Sequence, residues 1–352
     1  MDSTLTRIHD FDDRLLLPAE DVAYPYPRQE VGHERNGPGA WSEYLALRAV
    51  QETLGRAPEI LSRPLIGGAA RLARAFDRER TRIARSFIRS AMPDLSDREV
   101  ERLVLSAWKH LLRLTVTVAR MHEATHGRRL GDHFDLEVCD GFEELRTGEQ
   151  GVVFITAHVG NWEALGAPLN ALGFNPLYCV GKPPRNNPLA LYIQRSRERS
   201  GGIMLPRKGA MKGVPVVVRA RGGVVMLLDQ RPRQKPIYAD FFGRPAACDR
   251  SVGVLLRRVG APLAFVGCYD AGPLRFRLRF SRIIQPQELA GKAPEAVVER
   301  VNRELEGLIL EAPDQYFWLH DRYRGAPAVG DVSPRSTPGD GPGPLAEPAT
   351  TR

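Results

Sequence analysis

The stretch GVVFITAHVGNWEALGAPLNALG (residues 151–173) decides how this chain is read. An apolar run, Val152 to Thr156, ends at a polar turn, and a segment closed by Gly173 follows. A short apolar run bounded by turn residues is the pattern of a buried strand, and Asn161 is a good N-cap for a helix after it. The strand delivers His158 to the carboxyl edge of a sheet, where α/β folds place their ligands. Glu163 falls in the first helical turn, where the helix dipole favours a carboxylate. Two residues five apart on one continuous helix point about 140° away from each other. With His158 in the turn and Glu163 on the helix, the chain can instead fold back and bring carboxylate to imidazole. Such a pair fixes one ring tautomer and leaves the other nitrogen to take a proton from a hydroxyl. Spacing alone leaves open a plain hydrogen-bonded turn histidine.

Outward from this stretch, strands and helices alternate. NPLYCVG (175–181), GGVVMLLDQ (222–230), APLAFVGCY (261–269) and the amphipathic PLRFRLRFSRII (273–284) read as strands. NPLALYIQRSRERSG (187–201), RSVGVLLRRVG (250–260) and PEAVVERVNRELEGLILEAP (294–313) read as helices, and KGVPVVVRARGG (212–223) as helix or extended chain. Alternation of this kind implies an α/β fold with a central mixed, mostly parallel sheet flanked by helices. Before it, residues 41–133 form an N-terminal helical segment. Within it Val100, Leu103, Val104, Ala107, Leu111 and Leu114 recur at helical spacing, with Pro93 ahead and Gly127 behind. Residues 1–40 read as a loose leader, 134–325 as the α/β domain, and 326–352, rich in Pro and Gly, as a disordered tail. No internal repeat is present.

The net charge of +8 favours an anionic partner, and 43% hydrophobic residues suffice for a packed core. Cys139, Cys179, Cys248 and Cys268 form no CxxC pair, which argues against a zinc ribbon or redox motif and suits buried thiols in a reducing compartment. The acidic N-terminus has no signal-peptide core, and no stretch approaches the roughly 20 apolar residues that span a bilayer. Any meeting with a membrane is expected at its surface.

HVGNWEA (158–164) resembles the His-x4-(Asp/Glu) motif of the lysophospholipid acyltransferase superfamily, most of all the lipid A late (lauroyl and myristoyl) acyltransferase branch. Further blocks resemble that branch in order: KPPRNNPLALYIQRSRERSGG (182–202), RGGVVMLLDQRP (221–232), ADFFGRPAACDRSVGVLL (239–256) and APDQYFWLHDRYR (312–324). Together they cover about residues 100–324. The resemblance implies acyl transfer from a thioester, of acyl carrier protein or coenzyme A, to a hydroxyl of a phosphorylated glycolipid such as a lipid A precursor. It implies His158 as base and Glu163 as its orienting partner, with no metal or other cofactor. Asn161, Lys182, Arg185, Arg197, Arg207 and Lys208 become candidates for substrate binding, the basic ones for phosphates or phosphopantetheine. Asp229 and Arg231 would line the site and Arg322 would close it. A groove near Phe241 and Phe242 could take the acyl chain, with a core role for those rings equally open. The location implied is peripheral, at the cytoplasmic face of the inner membrane.

Members of that branch usually begin with an apolar anchor helix, which this chain does not show. Instead Trp41, Tyr44, Leu45 and Leu47 precede LIGGAARLARAFDRERTRIARSFIRSAM (65–92), where arginines interleave with apolar residues. Such a stretch suits the headgroup region of an anionic leaflet, or an ordinary helix packed on the domain.

Other readings compete. His122-Glu123-Ala124-Thr125-His126 spells HExxH, a zinc metalloprotease pattern when helical, but Gly127 ends the helix at once and His133 is misplaced for a third ligand. A non-catalytic basic protein binding membrane or nucleic acid would explain the charge. The basic runs carry few stacking aromatics and no known nucleic-acid spacing, so no nucleic-acid partner is expected. Gly201-Gly202 and Gly222-Gly223 read as turns, and no GxSxG elbow is present.

Overall fold

The computed structural model describes residues 23–27, 34–125, 130–232 and 236–327. The expected leader up to residue 22, His126 of the HExxH string and the tail from residue 328 lie outside the described residues. Four helices come first: α1 (Pro38–Arg56), α2 (Glu59–Phe76), α3 (Arg78–Ala91) and α4 (Asp97–Thr125). The α/β part then runs β1 (Phe134–Glu137), α5 (Phe142–Thr147), β2 (Val152–Thr156), α6 (Gly166–Ala171), β3 (Leu177–Gly181), α7 (Asn187–Arg199), β4 (Gly202–Pro206), α8 (Ala210–Arg219) and β5 (Gly223–Leu227). A hairpin of β6 (Pro236–Phe241) and β7 (Arg244–Asp249) follows, then α9 (Arg250–Arg258), β8 (Leu263–Gly272), β9 (Arg275–Ile284), α10 (Pro286–Leu289) and α11 (Pro294–Glu311).

Seven strands form one sheet in the order β1-β9-β8-β2-β5-β3-β4. Only β8 and β9 are antiparallel neighbours; every other pairing in this sheet is parallel. The expected mixed, mostly parallel sheet is therefore observed. All five residues of β2 are buried, as a central parallel strand covered on both faces requires. In β9, Phe276, Leu278 and Phe280 face the core while Arg275, Arg277 and Arg279 alternate with them, so its amphipathic pattern is half-buried.

One apolar layer lies between the sheet and α5 and α6, around Phe142, Leu145 and Leu169. The other joins the sheet to α3, α4, α8, α9 and α11, and there Phe87 and Trp108 of the N-terminal helices share a core with Val214, Leu255, Val301 and Trp318. The N-terminal helices thus shield one face of the sheet. A capping box starts α4: the Ser96 backbone N–H donates to Glu99 at 2.8 Å and the Glu99 N–H donates back to Ser96 Oγ at 3.4 Å. Val100, Val104, Ala107 and Leu114 of the expected stripe are buried, with Leu103 and Leu111 packed partly against the core. The ambiguous Val-rich segment is the helix α8, Pro215 included.

Candidate active site

β2 and β5 pair in parallel with Thr156 opposite Leu227, so residues two steps past each strand end emerge side by side. Those residues are His158 and Asp229. Asp229 Oδ1 accepts from His158 Nδ1 at 2.7 Å, and Asp229 Oδ2 accepts from the His158 backbone N–H at 3.1 Å. Asp229 is only 2% exposed. Burial pushes its carboxyl up, but the His158 imidazole and its hydrogen bonds outweigh that and hold it below the usual range. An ionised Asp229 fixes the proton on Nδ1 and leaves the Nε2 lone pair of His158 free. That nitrogen meets the side-chain amide of Gln230 at 3.3 Å.

The backbone after His158 is forced into a narrow path. Gly160 has φ +60° and lies so close to β8 that a Cβ there would come within 2.0 Å of the Cys268 carbonyl oxygen. Its N–H donates to Gln315 O at 3.0 Å, while its carbonyl meets His110 Nε2 of α4 at 2.9 Å. His158 O accepts from the Phe317 N–H at 3.0 Å, and the Trp162 ring stands edge-on to the imidazole at 5.0 Å. The imidazole is thus positioned from β5, β8, α4 and the segment after α11 together.

Two expectations about this loop are corrected. Asn161 does precede helical chain, but of the short 3-10 kind (Trp162–Leu165), and its side chain makes no cap bond. It is fully buried and does not line the cavity. Glu163 is not the carboxylate on the imidazole. The tight 3-10 turn aims it at α7, where it accepts from Arg197 Nε at 2.9 Å and Arg197 Nη2 at 2.7 Å. Burial raises the Glu163 carboxyl, yet the guanidinium prevails and keeps it below the usual range. Arg197 is held firmly charged by the same pairing, despite its own burial.

His158 opens on a cavity of about 450 Å3. Glu163, Lys182, Arg197, Arg207, Gln230 and Arg231 contribute its polar wall, and Val252, Leu255, Val298 and Val301 of α9 and α11 form an apolar end. A second, more open cavity of about 1140 Å3 adjoins it through Lys182, Arg207 and Met211 and adds Lys208 and Arg250. Arg207 donates to Asp249 at 2.8 Å at this shared mouth. Five of the expected cations therefore gather around the two cavities. Arg185 is not among them: it is exposed and donates to Glu34 at 2.8 Å.

Arg322 lines neither cavity. It is 1% exposed, donates to the Ala247 carbonyl and the Cys248 sulfur, and stacks over the Phe241 ring. Its charge braces the β6–β7 hairpin from beneath. Phe241 and Phe242 are core residues packed on Phe87, and they line neither cavity. The apolar end of the first cavity lies instead between α9 and α11.

Sequence reasoning missed four groups near the base. Gln230 touches Nε2 directly. Tyr316 is buried facing Asp229, and burial with that carboxylate keeps its hydroxyl protonated. His320 accepts from the Arg231 N–H at 3.4 Å, and burial depresses its imidazole to about 4, so it is neutral near neutral pH. Cys179 lines the cavity, but burial holds its thiol up at about 11, which leaves no thiolate to act as a nucleophile. Each belongs to a quoted stretch, and Gln230 and His320 to the Asp-Gln and Trp-x-His of the resembling blocks, but none was given a role at the site.

Among the described residues no group of three or more His, Cys, Asp or Glu is placed to hold a metal ion. His126 of the HExxH string falls outside them.

Residues 32–325 match the family model described as bacterial lipid A biosynthesis acyltransferase. The chain is similar to the lipid A biosynthesis palmitoleoyltransferase of Escherichia coli (strain K12), 26% identical over 268 residues that cover 74% of this chain and 84% of that protein. Identity and coverage are the same with the lipid A biosynthesis acyltransferase of Shigella flexneri. The lipid A biosynthesis lauroyltransferase of Escherichia coli (strain K12) is 25% identical over 267 residues, with 74% of this chain and 84% of that protein covered.

Proposed function

The chain belongs to the bacterial lipid A biosynthesis acyltransferase family and is an acyltransferase, and from that premise we propose how it transfers the acyl group and between which molecules. The donor is an acyl thioester of acyl carrier protein or coenzyme A. The acceptor is a hydroxyl of a phosphorylated glycolipid of the lipid A type. The observation that carries the reading is a histidine whose Nδ1 is gripped by a buried carboxylate while Nε2 faces a cavity with a basic wall and an apolar end.

In this reading both substrates bind together. The acyl chain enters between α9 and α11 along Val252, Leu255, Val298 and Val301. Phosphates of donor and acceptor meet Lys182, Arg207, Lys208 and Arg250 at the shared mouth. The acceptor hydroxyl takes the place beside Nε2 and gives up its proton as its oxygen attacks the thioester carbonyl. Asp229, ionised, stabilises the imidazolium that forms. The Gln230 amide, already at Nε2, is within reach of the carbonyl oxygen as it gains charge. Collapse expels the thiolate, which takes up the proton held on Nε2. Glu163 and Arg197 act as a rigid wall that holds the loop to α7 rather than as proton carriers.

No helix among the described residues is long and apolar enough to cross a membrane. A lipid acceptor and a soluble thioester donor meet at the cytoplasmic face of the inner membrane, and a peripheral position there fits both. The test is mass spectrometry of lipids from cells with and without the protein: a glycolipid lighter by one acyl chain without it supports the reading, and identical lipid profiles would overturn it.

A further inference from the structure

Behind the loop that carries His158 stand a second imidazole and carboxylate, which the transfer described above does not use. His110 lies on α4 and Asp270 on β8, with side chains only 7% and 10% exposed. His110 Nε2 meets the Gly160 carbonyl oxygen at 2.9 Å, and His110 Nδ1 lies 3.7 Å from Asp270 Oδ2. The proton count follows from this geometry. A carbonyl oxygen can only accept, so Nε2 carries a hydrogen and donates it. In a neutral ring Nδ1 would then be a bare lone pair turned toward a carboxylate, with both groups buried. One proton between them, on the ring or on the carboxyl, removes that conflict. Burial raises the Asp270 carboxyl against the pull of His110 and of Arg113 on α4, and Asp314 after α11 adds to the rise. The carboxyl therefore binds a proton more readily than an exposed one.

The contacts of this pair converge on Gly160, two residues past the base. Gly160 is buried and its N–H donates to the Gln315 carbonyl at 3.0 Å, while the Asn161 N–H donates to the Cys268 carbonyl at 2.6 Å. Gln315 is itself tied to Asp270. Its Oε1 accepts from the Asp270 N–H at 2.9 Å, and its Nε2 donates to the Asp270 carbonyl at 3.1 Å. The N–H side of Gly160 is thus fixed by backbone, and its carbonyl side by the His110 ring. Release of that carbonyl would let the peptide plane turn and carry the His158 ring with it. A shift of about 1 Å at a reacting group can cost about a hundredfold in rate. Packing of α4 on the loop does not call for such a pair, because apolar residues of similar size stabilise as well or better. What the pair adds is a directed donor at one carbonyl.

We propose that His110 and Asp270 are a positioning pair for the base: Asp270 shares a proton with Nδ1, and His110 Nε2–H holds the Gly160 carbonyl so that the His158 ring stays aimed at the acceptor hydroxyl. The inference rests on the reading of His158 as that base. The test follows transfer of a labelled acyl group from an acyl thioester to a lipid A precursor by the purified full chain. His110→Leu should lose at least about thirtyfold in kcat, with KM for both substrates within about twofold of wild type. His110→Gln, whose side-chain amide takes the place of Nε2–H, should recover at least about tenfold over His110→Leu. Asp270→Asn, which offers Nδ1 a hydrogen without a charge, should recover about as much over Asp270→Leu. The double leucine variant should be no slower than His110→Leu, since the two side chains act as one unit. Wild-type kcat in His110→Leu, or a Gln variant that folds yet is as slow as the Leu variant, would overturn the proposal. Nitrogen-15 spectra of the wild-type histidines check it without any leucine variant: a His110 ring with no hydrogen on Nε2 would also overturn it. An inactive His158→Gln beside a fully active His110→Leu would sink this inference alone, whereas wild-type transfer by His158→Gln would sink the reading of the base as well.

Discussion

Asp229 takes two hydrogen bonds from one residue, His158, one from the ring at 2.7 Å and one from the backbone N–H at 3.1 Å. The carboxylate therefore sets the tautomer and also pins the loop that carries the ring. Asp229→Asn keeps the shape and removes the charge. The acyl-transfer rate should fall by about a thousand- to ten-thousandfold, with near-ultraviolet circular dichroism unchanged. Activity within tenfold of wild type, roughly 1.4 kcal/mol of barrier, would remove Asp229 from this role.

Glu163 and Arg197 form a mostly buried bidentate pair, so removing one partner strands the other. Glu163→Gln should lower stability by about 3 kcal/mol in urea unfolding. The double variant Glu163→Leu, Arg197→Met should recover most of that loss. If instead Glu163 were the group on the imidazole, its loss would change the pH profile of transfer rather than stability.

The Gln230 side-chain amide lies 3.3 Å from His158 Nε2. Gln230→Ala should reduce kcat by about a hundred- to thousandfold, with KM for the thioester little changed. A change confined to KM would make it a binding group and move charge stabilisation to Arg231.

His320 gives a pH signature. Its imidazole is depressed from 6.5 to about 4 by burial, so the unfolded chain binds a proton over that interval which the native chain refuses. Stability contributed by the neutral ring is complete above 6.5 and falls as pH drops toward 4, by up to about 1.4 kcal/mol per pH unit. Asp229 and Glu163, both depressed, add their own losses only as pH falls below their ordinary values of 3.8 and 4.5. Urea unfolding from pH 7 to pH 5 should show the decline in wild type and a flatter response in His320→Gln. Parallel curves would place the proton uptake elsewhere.

The strand-turn-helix of residues 151–173 carried the fold because its period, cap and terminal glycine are local signals. It also placed His158 at the sheet edge. Its true partner was out of reach of such signals. Asp229 lies opposite His158 only because β5 pairs with β2, and β3 and β4 intervene in the chain between them. Nearness in sequence favoured Glu163, which the 3-10 turn points at α7 instead. Phe241, Phe242 and Arg322 lie away from the cavities for another reason. An aromatic pair reads the same in a groove or a core, and an arginine near a site reads the same above or beneath it. The lateral packing of α9 on α11 leaves the apolar opening, and no motif encodes that.

The central claim is that the His158 imidazole takes the acceptor's proton. Transfer of a labelled acyl group from an acyl thioester to a lipid A precursor, followed with purified wild-type protein and His158→Gln, tests it most directly. The account predicts transfer by wild type and a loss of at least about a thousandfold in the variant, with the fold retained. Transfer by His158→Gln at the wild-type rate would contradict it.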